Sequence, residues 1–209
     1  MIGIIGGAGP EASAKLYLRI IEKCKEKGAL YDWQFPHIFI DSVPFDDIIS
    51  KTTSDYVGTQ VKESILRLKN AGAKHIFANC NSLHAIIREG NHDVFDLPKE
   101  VSQRVRNNVF TRIVLLATSA TIKHNIYEGF DLPTGKDQEL LDDIILNIGI
   151  RDKRKKEFEY LVKKQNADCI ILGCTDLSLF YNVIPKNVVD SLEVLADVIV
   201  SYSKVKYIF

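Results

Sequence analysis

Two octets decide how this chain is read: Ala73-Lys74-His75-Ile76-Phe77-Ala78-Asn79-Cys80 and Ala167-Asp168-Cys169-Ile170-Ile171-Leu172-Gly173-Cys174. Each runs from alanine through two variable positions to isoleucine, then two apolar residues, one small residue and a cysteine. Short apolar runs bounded in this way read as buried strands, so each cysteine stands where a strand ends and a loop begins. The cysteines at 80 and 174 lie 94 positions apart, and the strong opening strands at Ile2 and Ile113 lie 111 apart. The similar offsets and the matching order of strand, turn and helix predict two alike halves of roughly 100 residues.

Outward from the octets, the chain alternates. The apolar run at residues 1–5 stops at Gly6-Gly7-Ala8-Gly9-Pro10, which reads as a strand, a glycine turn and a helix over 10–27 with proline in its first turn. Further strands are expected at 35–40, 75–78, 112–117, 169–172 and 188–190, with a weaker one at 93–97. Helices are expected over 57–71, where Gly72 serves as a C-cap, from 118–121 through 127, and over 137–146, 157–164 and 191–202. This alternation predicts an α/β fold with parallel sheets. Ligands of open α/β sheets bind outside the carboxyl ends of the strands, so Cys80 and Cys174 would meet across one cleft if the halves face each other. From position alone the two thiols read equally well as small buried hydrophobes.

Composition narrows the function classes. A chain of 209 residues forms one large domain or two small ones and needs no disulfide or structural metal to hold its core. With 46 % hydrophobic and 26 % charged residues it is neither disordered nor collagen-like. The 27 basic and 27 acidic residues cancel, and the one basic cluster, Arg151-Asp152-Lys153-Arg154-Lys155-Lys156, reads as a solvated helix start. A small-molecule partner is therefore expected, and no nucleic acid. No apolar run reaches the ~18–20 residues of a membrane span, and the opening reads as a strand, so neither a membrane association nor a signal peptide is expected.

Cys24, Cys80, Cys169 and Cys174 form no Cys-x-x-Cys pair, and free thiols fit a cytoplasmic location. Cys24, on the first helix, and Cys169, within a strand, read as core. The five histidines make no ligand-like i,i+4 pair, so no metal is expected. No lysine stands in a phosphate-binding context, which argues against pyridoxal phosphate. Gly7-x-Gly9-x-x-Ala12 also fits a dinucleotide fingerprint. Pro10 inside it, and the wait until Asp41 for an acidic residue, favour a plain tight turn lining a cleft.

Two facing thiols suit one chemistry in particular. A thiolate is a base, and N–H groups at a helix start lower its pKa from about 8.5 toward neutrality. Asn81-Ser82 and Thr175-Asp176 supply small polar groups that hydrogen-bond a carboxylate held between the sulfurs. One sulfur takes a Cα proton from one face and the other returns a proton to the opposite face, giving racemisation or epimerisation without redox change. Donors aimed at the carboxylate stabilise the charge that develops there.

At these residues the sequence resembles the aspartate/glutamate racemase family, the cofactor-independent two-cysteine amino-acid racemases, and aspartate racemase most of all. The matching motifs are Gly6-Gly7-Ala8-Gly9-Pro10, Cys80-Asn81-Ser82-Leu83-His84, Ala117-Thr118-Ser119-Ala120-Thr121-Ile122, Gly173-Cys174-Thr175-Asp176 and Asp190-Ser191, spread over nearly the whole chain. The resemblance implies two pseudo-symmetric α/β subdomains with parallel four-stranded sheets and an active site between them. The first would hold residues 1–98 plus the returning segment 190–209, and the second residues 99–189. It implies L- and D-aspartate interconversion without cofactor, Cys80 and Cys174 as the catalytic pair, and commonly a homodimer. Asn81, Ser82, Thr118, Thr175 and Gly7 would hold the substrate, with His84 behind Cys80 and Asp176 in support.

The sequence departs from the family at its basic clamps. The Pro-Asp-Arg-Thr that often follows the second strand reads Val43-Pro44-Phe45-Asp46-Asp47-Ile48 here, with Ile48 near the arginine's place. A second clamp, a short way after the Asp137-Gln138 pair, falls near Ile150. Lys51 or Arg151 would then reach the substrate's second carboxylate. Ala8 also stands where methionine is usual. Glutamate, another amino acid, a hydantoin or maleate stay open as substrates beside aspartate.

Overall fold

The computed structural model describes residues 1–46, 55–183 and 187–203. One sheet has β1 (Ile2–Gly6) at its centre, paired in parallel with β2 (Ile38–Ser42) and β3 (His75–Ala78). The other has the order β4 (Ile113–Leu116), β5 (Cys169–Leu172), β6 (Val188–Asp190), again all parallel. The α-helices are α1 (Pro10–Glu26), α2 (Asp55–Asn70), α3 (His84–Glu89), α4 (Leu97–Arg106), α5 (Ser119–Lys123), α6 (Lys136–Leu146), α7 (Arg151–Lys164) and α8 (Ser191–Tyr202).

Side-chain alternation along the strands explains the layering. Successive residues of a strand point to opposite faces. Ile4 and Phe77 therefore face one way while Ile5, Ile76 and Ala78 face the other, against α2 and α3. In the second sheet Leu115, Cys169 and Ile171 face one way, and Val114, Leu116, Ile170 and Leu172 pack on α6 and α7. The two inner faces meet one shared layer of helices. Leu16 and Ile20 of α1, Val101 and Val105 of α4, and Leu195 and Ile199 of α8 join both sheets in a single apolar cluster. Helix α8 is buried on nearly every side, which fits its run of Leu, Val, Ala and Ile. Cys24 and Cys169 both lie in this core. At the edge of the layer, Glu193 and Asp197 of α8 bind Arg19 and Lys23 of α1, and Asp197 also binds Arg104 of α4, with N–O distances of 2.7–3.1 Å.

The expected four-stranded sheets are three-stranded among the described residues. The fourth place in each is held by one residue. Phe95 N–H donates to Ile76 O at 2.9 Å, and Asp131 bonds Ile113 and Leu115 at 2.9 Å each. With these two residues counted, both sheets follow the same order of second, first, third and fourth segment. Extension fails for a local reason. Phe95 and Phe130 are each followed by Asp-Leu-Pro, and proline has no N–H to offer a ladder. At 96–98 the same residues start a helix instead, because the Asp96 side chain accepts the Lys99 N–H at 3.1 Å and Pro98 suits a first turn.

Other boundaries differ from expectation. β2 begins at Ile38 rather than 35. The helix after β4 ends at Lys123, short of 127, and Asn125 turns the chain with φ of 50°. α7 begins at Arg151, so the basic cluster at 151–156 is the expected helix start, ahead of the apolar spacing that begins at 157. α3 and α4 have no counterpart in the sequence reading.

Because α8 touches both sheets, Leu195→Ala is expected to lower unfolding stability by about 2–5 kcal/mol, the range for emptying a packed leucine site. Leu66→Ala, on the exposed face of α2, is expected to stay within about 0.5 kcal/mol. Urea denaturation of the two variants checks the contrast.

Candidate active site

Each cysteine sits two residues beyond a strand end, Cys80 after β3 and Cys174 after β5. The chain turns at once in both places. His84 N–H donates to Asn81 O at 3.0 Å as α3 begins, and Leu177 N–H donates to Cys174 O at 3.1 Å as a 3-10 turn, Thr175–Val183, begins. The turn aims the same pair of donors at each sulfur. Cys80 receives the backbone N–H groups of Ser82 and Leu83, and Cys174 those of Asp176 and Leu177.

Both cysteines open on one cavity of about 200 Å³ at the carboxyl ends of the strands. Its wall also holds Gly7, Ala8 and Gly9 after β1, Phe45 and Asp46 beyond β2, Asn81 and Ser82, Thr118 after β4, Ile145 of α6, and Thr175 and Asp176. The sequence-derived Gly7, Cys80, Asn81, Ser82, Thr118, Cys174, Thr175 and Asp176 are thus brought together. Lys51 and Ile48 lie outside the described residues. Arg151 opens α7, and its side chain is also outside the description. Ile150 is half exposed and forms no part of the wall. His84 is fully buried in α3 and does not reach the wall.

Glycine is required at the turn for steric reasons. Gly7 has φ of +94°, and a Cβ there would stand 2.1 Å from Val43 O. A Cβ on Gly9 would stand 2.2 Å from Asp176 Oδ1. The wall approaches the cavity as closely as it does because neither has a side chain.

Hydrogen bonds within and between the halves hold this wall. Ser82 Oγ lies 3.1 Å from Thr118 Oγ1 and 2.9 Å from Thr121 Oγ1. Thr175 Oγ1 donates to Asn79 O at 3.1 Å. Asn81 Nδ2 donates to Ser191 Oγ at 3.0 Å, and Tyr127 donates its hydroxyl to Asn81 Oδ1 at 2.7 Å. Ser13 Oγ accepts from Gly7 N–H and donates to Gly9 O, both at 3.1 Å. Sequence reasoning missed Phe45 and Ile145 in the wall, and Ser13, Thr121, Tyr127 and Ser191 as supports. Thr121 had a signal, since it stands three residues after Thr118 at a helix start, where the Thr118 hydroxyl caps it. Tyr127 and Ile145 had none, because only tertiary packing brings them here.

The electrostatics reverse one expectation. The N–H groups are present, yet burial outweighs them and pushes the Cys80 thiol up to about 11 from an ordinary 9.0, with the nearby Asp176 adding to the rise. Burial, then Asp176, then Cys80 itself push Cys174 well above its ordinary value. Burial, helped by Glu11, raises Asp176 to about 6, and its Oδ1 has no hydrogen-bond partner among the described residues. In the unliganded cavity both sulfurs are therefore protonated at neutral pH and Asp176 is largely ionised. Burial lowers His84 to about 4, so its ring is neutral at pH 7, and neither ring nitrogen has a partner among the described residues. The described wall contains no lysine or arginine. Among the described residues no three His, Cys, Asp or Glu side chains gather to hold a metal ion, and no helix is long and apolar enough to cross a membrane.

Two parallel α/β sheets facing across a cavity with a cysteine at each strand end define a racemase-like architecture. Residues 5–199 match the Asp/Glu/Hydantoin racemase family, and the chain belongs to it. In fold it is similar to an aspartate racemase of Picrophilus torridus, with a TM-score of 0.80 and 22 % identity, covering 98 % of this chain and 95 % of that one. It is also similar to an aspartate racemase homologue of Pyrococcus horikoshii, with a TM-score of 0.71 and 25 % identity over 96 % of this chain and 98 % of the other. A glutamate racemase of a Hydrogenobaculum species is 28 % identical over 140 residues, 58 % of this chain. The match spans about half the length of that enzyme, 53 %.

Because burial holds the Cys80 thiol near 11, its alkylation by iodoacetamide in the unliganded protein is expected to climb with pH through 9 and keep rising toward 11. Residue-resolved mass spectrometry across pH 7–11 checks this; a plateau by pH 9 would mean that the N–H donors outweigh burial.

Proposed function

We propose that the chain is a cofactor-independent racemase interconverting L- and D-aspartate, with Cys80 and Cys174 as the thiolate and thiol of a two-base mechanism. The equivalence of the two cysteines carries the reading: each lies two residues past a strand end, receives the second and third N–H groups beyond it, and opens on the same cavity. Binding alone needs no such pair. The site lies between a subdomain of residues 1–98 with 190–209 and one of residues 99–189. The packing of α8 along α1 supports that division.

In the reaction, one sulfur as thiolate takes the Cα proton, so the C–H bond breaks, an S–H bond forms and the electron pair passes into the carboxylate. The other sulfur gives its proton to the opposite face, so its S–H bond breaks and the new C–H bond forms. The carbon is inverted and the two cysteines exchange protonation states. Asn81, Ser82, Thr118 and Thr175 meet the charge that grows on the carboxylate. Asp176 holds the substrate ammonium, whose charge offsets part of what burial and Asp176 do to keep both thiols protonated. Gly7 lets the wall close on the substrate, and His84 supports the Cys80 loop. Lys51 or Arg151 takes aspartate's second carboxylate. A homodimer belongs to the same reading, supported by the exposed Leu18, Leu30 and Trp33 beside α1.

Glutamate, another amino acid, a hydantoin or maleate are the alternative substrates. Phe45 and Ile145 in the wall favour those of lower charge.

Proton NMR in deuterated water, with reductant and no added cofactor, tests the proposal on L- and D-aspartate and then glutamate. Loss of the Cα–H signal with appearance of the other enantiomer is the expected result. Cys80→Ala and Cys174→Ala are each expected to lower turnover by about 10²–10⁴-fold while substrate binding persists. No exchange with any amino acid would sink the reading and direct the search to hydantoins and unsaturated diacids.

A further inference from the structure

We infer that Tyr127 is a positioning residue that sets the orientation of the Asn81 amide and ties the two cysteine loops together; the inference deepens the racemase reading above and rests on it for its kinetic consequence. Tyr127 lies just beyond α5, is only 7 % exposed and forms no part of the cavity wall. Its hydroxyl reaches Asn81, the neighbour of Cys80, at 2.7 Å. Its ring packs beside the other loop, since a Cβ on Gly173, the neighbour of Cys174, would stand 3.3 Å from Tyr127 Cε2. One side chain thus touches both cysteine loops from behind.

Two bonds orient the Asn81 amide. The Tyr127 hydroxyl donates to Asn81 Oδ1 at 2.7 Å, and Asn81 Nδ2 donates to Ser191 Oγ at 3.0 Å. Oδ1 therefore faces Tyr127 and Nδ2 faces Ser191. An amide has two N–H donors and two carbonyl lone pairs. After these bonds one N–H and one lone pair remain on a side chain that lines the cavity. Together they match a zwitterion, which needs a donor for its carboxylate and an acceptor for its ammonium. Without the Tyr127 hydroxyl the amide loses one of its two anchors, and the Ser191 bond alone holds which atom meets each charge.

The test is a double-mutant cycle of Tyr127→Phe and Asn81→Ala, read by α-proton exchange of the substrate in deuterated water. Tyr127→Phe keeps the ring against Gly173 and removes only the hydroxyl. It is expected to lower kcat/KM about tenfold, the factor one hydrogen bond to a substrate-holding group is worth. In the Asn81→Ala background it is expected to change nothing, because the hydroxyl acts through Asn81. The same loss in both backgrounds, or no loss in the parent, would overturn the inference. A second readout does not depend on turnover. The side-chain amide signals of Asn81 in the ¹⁵N NMR spectrum, assigned by their absence in Asn81→Ala, are expected to shift and broaden in Tyr127→Phe; unchanged signals would overturn the inference. A parent protein that exchanges no substrate would count against the racemase reading, and the amide signals would still decide the role of Tyr127.

Discussion

The shared apolar layer between the sheets is what the rest of the molecule depends on. Leu16 and Ile20 of α1, Val101 and Val105 of α4, and Leu195 and Ile199 of α8 press on Ile4 and Phe77 from one side and on Leu115 and Ile171 from the other. Interiors packed this way behave as solids rather than liquids. The layer therefore sets how far apart the strand ends of the two sheets stand, and with them Cys80 and Cys174. The cavity is the gap the layer leaves where the strands run out.

The same burial sets the chemistry of the unliganded site. Burial disfavours an ionised sulfur even with two N–H donors aimed at it, and the nearby Asp176 carboxylate adds to the effect. A site of this kind is quiet while empty. In the proposed reaction the substrate ammonium brings a positive charge beside the sulfurs, which favours loss of one thiol's proton to solvent, leaving a thiolate where a Cα–H bond stands ready. The neutral hydroxyls and amides of Ser82, Thr118, Thr121, Asn81 and Tyr127 add no charge of their own. Ser82 to Thr118 and Thr121, and Tyr127 to Asn81, tie the halves together at 2.7–3.1 Å.

Local patterns made the two octets, the glycine turn and most strands and helices legible, because buried strands and amphipathic helices write their period into neighbouring residues. The strands at 75–78, 169–172 and 188–190 and the helix at 191–202 fall where the sequence puts them. α3 is too short to show a period. At 93–97 an apolar stretch read as a strand gives way to a helix start, since Asp96 and Pro98 cap better than they pair. α7 begins with the charged run at 151–156, which has no apolar stripe and was legible only as a solvated helix start. In the site, residues next to the cysteines were legible, and Ser191 stood in a matching motif without a role, while Ile145 and Tyr127 were not legible, because they come from distant elements.

By itself, then, the sequence determined an α/β chain of two related halves, with a cysteine just past a strand end in each and small polar residues beside it. Those are properties of neighbours along the chain. Tertiary structure alone decided that both sheets share one helical layer, that each sheet has three strands among the described residues, and that the thiols sit high in pKa rather than low. It also decided which way the Asn81 amide turns, because Tyr127 and Ser191 reach it from 46 and 110 residues away along the chain. Desolvation and long-range hydrogen bonds depend on what else is packed around a group, and no local pattern of residues carries that.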